Sequence, residues 1–260
     1  MKTLTYAAKT DIGRVREENQ DAVGKFPDGS VDLDLPKGQL FVIADGMGGH
    51  AGGQQASRLA VETIGRTYFA ANAPIIESLK LAFQEANRAI YDCSVNHPQF
   101  YGMGTTCIAF VLHNGKGYAA HIGDSRLYRI TRDGIVQLTN DHSKVAEMVR
   151  RGILTAEEAR WHPERSMLYR AMGVTLNMQF DLLNDISVGT DDYFVMCTDG
   201  LSSLVEPGEI QDIVVGQPEH EACENLVRLA NERGGYDNIT VQIIHVKGEN
   251  SFLKTLLRSK

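Results

Sequence analysis

Two aspartates of this sequence stand at the ends of runs that are typical of buried strands. Asp45 directly follows the apolar run 40–44, and Asp199 follows the run 193–197 after one threonine. Near-continuous apolar runs of this length are typical of strands covered on both faces. An ionised carboxylate is strongly unfavourable there unless a cation or hydrogen bonds compensate its charge. The pair therefore indicates a shared cation, and separate helix capping by each aspartate is the alternative.

Three further aspartates, Asp21, Asp124 and Asp237, also border predicted strands. Neither thiolates nor regularly spaced imidazoles accompany them. Scattered carboxylates of this kind suit hard cations that prefer oxygen ligands, such as Mg²⁺ and Mn²⁺, rather than structural zinc. Together, the aspartates at strand ends offer enough carboxylates for two or three such ions.

A glycine-rich stretch follows the aspartate at position 45. Glycine occupies five of the eight positions 46–53, which lets the backbone approach a ligand closely and present a carbonyl to a metal. A phosphate-binding loop is the alternative. The stretch lacks the lysine of the GxxxxGK(S/T) pattern, and no GxGxxG follows a strand, which disfavours nucleotide binding of those kinds. Two other Asp-Gly pairs, 28–29 and 133–134, have polar or alternating neighbours and predict hairpin turns.

The elements that must position these aspartates fall into separate blocks. Strand candidates rich in β-branched and aromatic residues span 41–44, 107–112, 118–122, 193–197 and 239–245. Helical periodicity covers 53–71, 75–95, 143–151 with 155–160, 210–215 and 220–233. Because strands and helices do not alternate regularly, the pattern favours an α+β fold with two sheets and helices outside them over a doubly wound parallel sheet.

The composition excludes several classes of function. The 260 residues, 43% hydrophobic and 23% charged, predict one globular domain with a substantial core. A net charge of -7 argues against a general nucleic-acid binder, since affinity for phosphate backbones needs clustered lysine and arginine. No apolar stretch is long enough for a signal peptide or a membrane span, so we expect a soluble, cytoplasmic protein. The cysteines lack CxxC spacing, which predicts reduced, structural thiols.

The last residues differ in character from the rest of the chain. Residues 249–260 form a short, basic, amphipathic tail after the last predicted strand. The tail either docks on the domain or frays, or it contacts a partner. The sequence contains no heptad repeat, and we expect a monomer.

The motifs around the aspartates occur in the order found in a known family. The chain resembles the metal-dependent serine/threonine protein phosphatases of type 2C, in their compact bacterial form. The motifs that carry the resemblance are Arg16-x-x-Asn19-Gln20-Asp21, Asp45-Gly46-Met47-Gly48-Gly49-His50, Gly104-Thr105-Thr106, Gly123-Asp124-Ser125-Arg126, Thr198-Asp199-Gly200 and Asp237-Asn238-Ile239-Thr240. The resemblance implies a central β-sandwich of two antiparallel sheets flanked by α-helices. It also implies one catalytic domain over residues 1–248, with a substrate-contacting flap at about 142–172 in which His142 is expected to be structural.

The resemblance assigns roles to the aspartates. Asp45 looks like the carboxylate that bridges two metal ions, and Gly46 like the residue whose carbonyl binds one of them. Asp199 and Asp237 look like the ligands that complete the other ion's site. Asp21 resembles an outer ligand that acts through water. The implied cofactor is therefore a pair of Mn²⁺ or Mg²⁺ ions.

A third, weaker ion is implied at Asp124 together with Asp199, as in bacterial members of the family. The alternative is a structural turn in which Asp124 pairs locally with Arg126. Arg16 resembles the phosphate-binding arginine, a role that suits a guanidinium because its planar fork matches phosphate oxygens. His50 either protonates the leaving group, orients water or only caps a loop.

The resemblance implies a hydrolase that removes phosphate from phosphoserine and phosphothreonine in proteins. A metal-bridging water would attack phosphorus in line, without a phosphoenzyme and without a side-chain nucleophile. The expected partners are phosphorylated proteins, among them a bacterial serine/threonine kinase and the substrates of that kinase. Two alternatives stay open: a pseudophosphatase that binds phosphoproteins without turnover, and a hydrolase of small phosphoesters or nucleotides.

Overall fold

The computed structural model of the chain describes residues 3–29, 35–49 and 51–248. His50 and the basic tail 249–260 lie outside these described residues. The strands are β1 (Thr3–Asp11), β2 (Asp21–Phe26), β3 (Gln39–Met47), β4 (Gly104–Thr105), β5 (Cys107–His113), β6 (Lys116–Ile122), β7 (Arg126–Thr131), β8 (Gly134–Gln137), β9 (Asp181–Ser187), β10 (Tyr193–Cys197) and β11 (Ile239–Lys247). The α-helices are α1 (Ala51–Ala70), α2 (Ile75–Asn96), α3 (Lys144–Arg150), α4 (Ala156–Trp161), α5 (Asp199–Ser202), α6 (Pro207–Gly216) and α7 (Glu219–Glu232).

The strands form two antiparallel sheets. One sheet has the order β1-β11-β10-β7-β8, and the other has the order β2-β3-β5-β6-β9 with the short β4 beside β3. The pairings along both sheets are antiparallel. Helices cover the outer face of each sheet, so the α+β sandwich predicted from the sequence is confirmed. Within the described residues, no helix combines the length and the apolar character needed to cross a membrane.

Three apolar layers fill the spaces between these elements. Strand β3 contributes to two of them, with Leu40 and Val42 packed against α1 and α2, and Phe41 and Ile43 packed between the sheets. The third layer lies between the other sheet and helices α6 and α7, where Val241 of β11 is buried. Because both faces of β3 are covered, its sequence is a continuous apolar run rather than an alternating one.

The predicted elements all overlap observed ones, but the prediction is incomplete. The five strand candidates lie within β3, β5, β6, β10 and β11, and the helical segments overlap α1 to α4, α6 and α7. The strands that were not predicted include all four sheet edges, β1, β2, β8 and β9. Edge strands are half-solvated, and β9 accordingly has mostly exposed or half-buried residues with no apolar run. The predicted turn at 133–134 joins β7 to β8.

Candidate metal centre

Four strand ends from the two sheets meet at one end of the sandwich. Asp21 opens β2 and lies opposite Asp45, near the end of β3. In the other sheet, Asp199 follows β10 after one residue, and Asp237 precedes β11 by one residue. The Thr198 hydroxyl donates to the Asp21 carboxylate at 2.9 Å, which joins the two pairs across the sandwich. The buried strands therefore bring together the aspartates that the sequence placed at separate strand ends.

Asp45 lies at the centre of this acidic group. Burial is the largest cause that raises the pKa of Asp45 well above its usual range, and the charges of Asp21, Asp199, Asp124 and Asp237 add to it. Burial likewise raises the pKa of Asp21 to about 7 and that of Asp199 to about 6. The Asp45 and Asp199 carboxyl groups lie within hydrogen-bond reach of each other. Carboxyl groups this close can all ionise only when positive charge is placed among them.

Two buried oxygens of the group have no hydrogen-bond partner among the described residues. They are Oδ1 of Asp21 and Oδ1 of Asp199. The other Asp21 oxygen, Oδ2, accepts from the hydroxyls of Thr198 at 2.9 Å and Thr240 at 2.6 Å. A buried carboxylate oxygen without a donor is strongly unfavourable. Open lone pairs in an all-oxygen donor set fit a hard divalent cation such as Mn²⁺ or Mg²⁺.

The backbone around Asp45 is held in place by its neighbours in the fold. Thr106 donates its amide to the Asp45 carbonyl at 2.9 Å and accepts the Asp45 amide on its hydroxyl at 3.0 Å. The Thr105 hydroxyl donates to the same carbonyl at 2.8 Å. A Cβ at position 46 would lie 2.0 Å from the carbonyl oxygen of Gly53. Gly46 is therefore required for the close approach of β3 to the start of α1.

Asp124 lies in the turn between β6 and β7, where the chain passes from one sheet to the other. Burial is the largest cause that raises the pKa of Asp124 well above its usual range, followed by the charges of Asp199 and Asp141. The Arg126 guanidinium donates to Asp141, with Nη2 at 2.7 Å from Oδ2. Among the described hydrogen bonds, Arg126 thus pairs with Asp141 and not with Asp124. The structural turn with a local Asp124–Arg126 pair, the alternative from the sequence, is not the arrangement observed.

Arg16 is the arginine at the rim of the acidic group. Its side chain is about half exposed, at 54%, and its Nη2 donates to Oδ2 of Asp237 at 2.7 Å. The loop that carries Arg16 is fixed by Asn238, which donates to the carbonyls of Ile12 and Glu18 at 2.9 Å each. This arrangement places a partly free guanidinium directly beside the carboxylates, where a phosphate could contact both the arginine and the cations.

The segment 142–172, which the sequence predicts to be a flap, is attached at both ends to residues beside the acidic group. The His142 amide donates to the Gly123 carbonyl at 2.8 Å, next to Asp124. At the other end, Thr105 and Met172 exchange two backbone hydrogen bonds of 3.0 and 2.9 Å. A cleft of about 470 Å³ runs beside the flap, and its lining includes Met47, Ile122, Tyr169, Arg170, Val174 and Met178. The flap therefore forms a wall next to the residue that follows Gly46.

A second group of potential metal ligands lies at the base of the flap. One ligand atom from each of His121, His142 and Asp181 lies within 4.8 Å of the others. The His121 ring is fully buried and its nitrogens lack a hydrogen-bond partner of normal geometry, although the Ser125 backbone interacts with it electrostatically. The Gly123 amide donates to Nδ1 of His142 at 3.1 Å. This bond assigns the His142 proton to Nε2, so neither of its nitrogens offers a free lone pair.

Three residues that hold the acidic group in place had no role assigned from the sequence. Thr198 and Thr240 donate to Asp21, and the Asn238 side chain accepts the Gln20 amide at 2.8 Å. Each of the three lies within three residues of a predicted ligand. Their position inside the motifs was the feature of the sequence that could have indicated these roles. The predicted role of His50 stays a prediction, because that residue lies outside the described residues.

Comparisons with known proteins agree with the motifs and with the fold. The protein phosphatase 2C family profile matches residues 14–242. The serine/threonine phosphatase stp of Listeria innocua is 34% identical over 242 residues, which cover 91% of this chain and 93% of the relative. The crystal structure of the Mycobacterium tuberculosis serine/threonine phosphatase PstP/Ppp gives a TM-score of 0.82 at 32% identity, covering 94% of this chain and 99% of that one.

A second solved structure bears on the cofactor. The catalytic domain of the serine threonine protein phosphatase PstP in complex with 2 manganese ions gives a TM-score of 0.80 at 31% identity. The alignment covers 95% of this chain and 100% of that one. The family profile spans all the motifs from Arg16 to Thr240. The chain therefore belongs to the protein phosphatase 2C family of metal-dependent serine/threonine protein phosphatases.

Proposed function

We propose that this phosphatase hydrolyses phosphoserine and phosphothreonine in proteins at the acidic centre, with Mn²⁺ or Mg²⁺ as its cofactor. The observation that carries the proposal is the pair of buried, unpartnered oxygens of Asp21 and Asp199 within one crowded group of carboxylates. Protein donors satisfy most buried polar atoms. Here the donor set leaves room for divalent cations instead.

The core site would hold two ions. Asp45 would bridge them, the Gly46 carbonyl would bind one, and Asp199 and Asp237 would complete the other. Asp21 would act through water, since one of its oxygens already accepts two threonine hydroxyls. When bound, the cations lower the pKa of water and neutralise charge on the phosphoryl oxygens.

A third, weaker ion would lie at Asp124 together with Asp199. This assignment is supported by the raised pKa of Asp124, which burial and then the charge of Asp199 produce. It is also supported by the pairing of Arg126 with Asp141, because Arg126 makes no described hydrogen bond to Asp124.

Arg16 would bind the phosphate of the substrate. One of its N–H groups donates to Asp237, and a guanidinium has five donors in a rigid fork. The remaining donors suit two phosphate oxygens at once. Asp237 would thereby have two tasks, since it would bind a cation and orient the arginine that faces the substrate.

Among the described residues near the centre, no side chain is suited to be a nucleophile. Burial raises the pKa of the Cys197 thiol to about 12 and also raises that of Cys107, so neither forms a thiolate near neutral pH. The Ser125 hydroxyl is buried and shares a 2.7 Å hydrogen bond with Thr106. Direct attack of water on phosphorus, without a phosphoenzyme, is the mechanism that these surroundings favour.

The expected partners are phosphoproteins, including a serine/threonine kinase and its substrates, and we propose that the enzyme acts as a monomer. The pseudophosphatase alternative is not supported, because the relatives are named as phosphatases and the five aspartates are all present. The small-phosphoester alternative is tested by comparing kcat/KM for a phosphopeptide with kcat/KM for a small phosphoester.

The test is phosphate release from a phosphothreonine peptide with Mn²⁺, with Mg²⁺ and with EDTA, beside a phosphotyrosine peptide and p-nitrophenyl phosphate. We expect metal-dependent release, and we expect kcat/KM for the phosphothreonine peptide to exceed that for the small ester. Turnover that persists in EDTA would contradict the metal mechanism. A higher kcat/KM for the small ester would instead favour a general phosphoesterase.

A further inference from the structure

His142, at the start of the flap, makes two hydrogen bonds to Gly123, the residue before Asp124. Its backbone amide donates to the Gly123 carbonyl at 2.8 Å, and its Nδ1 accepts the Gly123 amide at 3.1 Å. Both polar backbone groups of Gly123 are thus satisfied by one partner. The next residue in the chain is Asp124, the proposed ligand of the weaker ion.

Position 123 admits only glycine in this conformation. Its φ of +101° lies in the region that favours glycine, and a Cβ there would lie 2.5 Å from Cβ of Thr106. Thr106 in turn holds the backbone of Asp45 through its amide and its hydroxyl. The turn before Asp124 therefore packs between the base of the flap and Thr106, which holds the backbone of Asp45.

The His142 ring is itself oriented from the flap side. Since Nδ1 accepts the Gly123 amide, the proton is on Nε2, which faces Oδ2 of Asp181 at 3.3 Å. Arg170 donates to the other Asp181 oxygen at 3.3 Å. The ring stacks on His121, with centroids 4.9 Å apart, and it also contacts Tyr169, with centroids 5.7 Å apart. Nη1 of Arg170 lies 3.3 Å from Nε2 of the ring. The Gly123 amide thus sets the tautomer, and His121, the flap residues and Asp181 at the start of β9 set the plane of the ring.

We propose that His142 is a positioning residue that sets the affinity of Asp124 for its metal ion and so links the order of the flap to metal binding. The proposal rests on the proposed function, in which Asp124 is a ligand. Residues that orient metal ligands typically change metal affinity 10- to 100-fold when they are replaced. A contact with the flap that disturbs the His142 ring would break its hydrogen bonds to Gly123 and weaken binding of the third ion at Asp124. Conversely, binding of that ion would stabilise the position of the flap base.

Two substitutions of His142 separate the two halves of this arrangement. In His142→Asn, the side-chain oxygen replaces Nδ1 as acceptor of the Gly123 amide, whereas the contact with Asp181 is lost. In His142→Gln, the amide reaches towards Asp181, whereas the acceptor for Gly123 is lost. Both variants remove the imidazole and its ring contacts, so they differ in which of the two hydrogen bonds is kept, the one from Gly123 or the one to Asp181.

The experiment counts Mn²⁺ bound to the full chain by electron paramagnetic resonance of the free ion, with calorimetric titration for affinity. Wild type, the two His142 variants and Asp124→Asn are compared. We expect the weak Mn²⁺ site to lose about tenfold in affinity in His142→Gln and to stay within about threefold of wild type in His142→Asn. Retention of the tight ions by each variant shows that its centre is folded.

Each other outcome decides something different. Equal loss of weak-site affinity in both His142 variants, or no loss in His142→Gln, would overturn the positioning role while Asp124→Asn still weakens the site. Unchanged Mn²⁺ binding by Asp124→Asn would instead remove Asp124 from the proposed ligands. If His142→Gln does not fold, Asp181→Ala carries the test, with an expected loss of about threefold at the weak site alone and a wild-type affinity contradicting the proposal.

Discussion

Strands β10 and β11 have buried acidic side chains at both of their ends, and the two ends neutralise them differently. Away from the metal centre, just before β10, Asp192 accepts from Arg129 at 2.7 and 3.0 Å. Glu219 lies beside the end of β11 and accepts from His245 at 2.7 Å. Burial acts to raise the pKa of Glu219, but the hydrogen bond from His245 and its other partners outweigh it, so this pKa is lowered. Each acid at this end has a partner from the protein.

At the centre, the acids face one another. Asp21 and Asp199 each keep a buried oxygen without a partner, and burial raises the pKa of both. The same strands therefore have acids paired with protein cations at one end and a group of acids without enough positive charge at the other. The difference teaches that burial of an acid alone does not mark a site. The mark is burial without a partner, which leaves a cation to be supplied from outside.

The largest expected effect concerns turnover. Asp199→Asn should lower kcat/KM for a phosphothreonine peptide about a thousandfold or more, because it removes about 4 kcal/mol of transition-state stabilisation by the cations. Phosphate release at saturating Mn²⁺ measures this effect. The metal-free variant should melt no lower than the metal-free wild type, since one repelling charge is lost. If Asp199→Asn kept more than a tenth of the wild-type activity, the result would contradict a metal-binding role for Asp199 in turnover.

The matched substitution at the opposite end should behave in the reverse way. Asp192→Asn leaves the Arg129 guanidinium without its ionised partner, which should cost about 3 kcal/mol of unfolding free energy and lower the Tm by about 8 °C. Turnover per folded molecule should stay within about twofold of wild type. Thermal melting and phosphate release on the same preparation check both halves. Loss of activity in the folded variant would show that the two ends are not independent.

The pH dependence of stability should also differ between the ends. In the metal-free protein, the pKa values of about 7 for Asp21 and 6 for Asp199 lie above the ordinary value of 3.8. Between about pH 4 and 7 the folded protein thus holds protons that the unfolded chain releases, so its stability falls as pH rises. The lowered pKa of Glu219 acts oppositely, and its contribution is lost as pH falls below about 4.5.

Urea unfolding at pH 5 and at pH 7.5, with and without Mn²⁺, measures this difference. The stabilisation by Mn²⁺ should grow with pH, because cations and protons compete for the same carboxylates. Asp192→Asn should retain that dependence, whereas Asp199→Asn should reduce it. A metal-free stability that rises across this range would contradict the account of the centre.

The smallest expected effect concerns the arginine at the centre. Arg16→Lys should lower kcat/KM about tenfold, mostly through KM, because lysine keeps the charge but loses the planar fork. Metal-free stability should change little, since the Arg16 side chain is about half exposed. Arg14→Lys, two residues away and also exposed, is the matched control and should have wild-type kinetics. Equal effects of the two changes would argue against phosphate binding by Arg16.

The sequence predicted those parts of the molecule whose burial is visible in a short run of residues. Strands β3, β5 and β10 were found because both of their faces are covered, and Asp45 and Asp199 stood out because they end such runs. The edge strands were missed because their residues are half-solvated. The hydrogen bonds from Thr198 and Thr240 to Asp21 join positions 177 and 219 residues apart, and no local pattern encodes contacts over such separations.

Two further points needed the three-dimensional arrangement. The sequence allowed Arg126 to pair with Asp124, two residues before it, whereas the fold turns its guanidinium to Asp141. His142 was expected to be structural, and only the fold brings it against Gly123, nineteen residues earlier in the chain. In both cases the missing information was the path of the chain where it passes between the two sheets.

The most direct test of the central claim is Mn²⁺ binding by Asp45→Asn. Free Mn²⁺ is counted by electron paramagnetic resonance while thermal melting is followed on the same samples, with Asp192→Asn as the control. We predict that Asp45→Asn loses the core ions and the rise in Tm that they produce, and that Asp192→Asn keeps both. Binding of the same number of ions by Asp45→Asn, with wild-type affinity, would contradict the claim that this group of buried carboxylates, with Asp45 at its centre, forms the metal site.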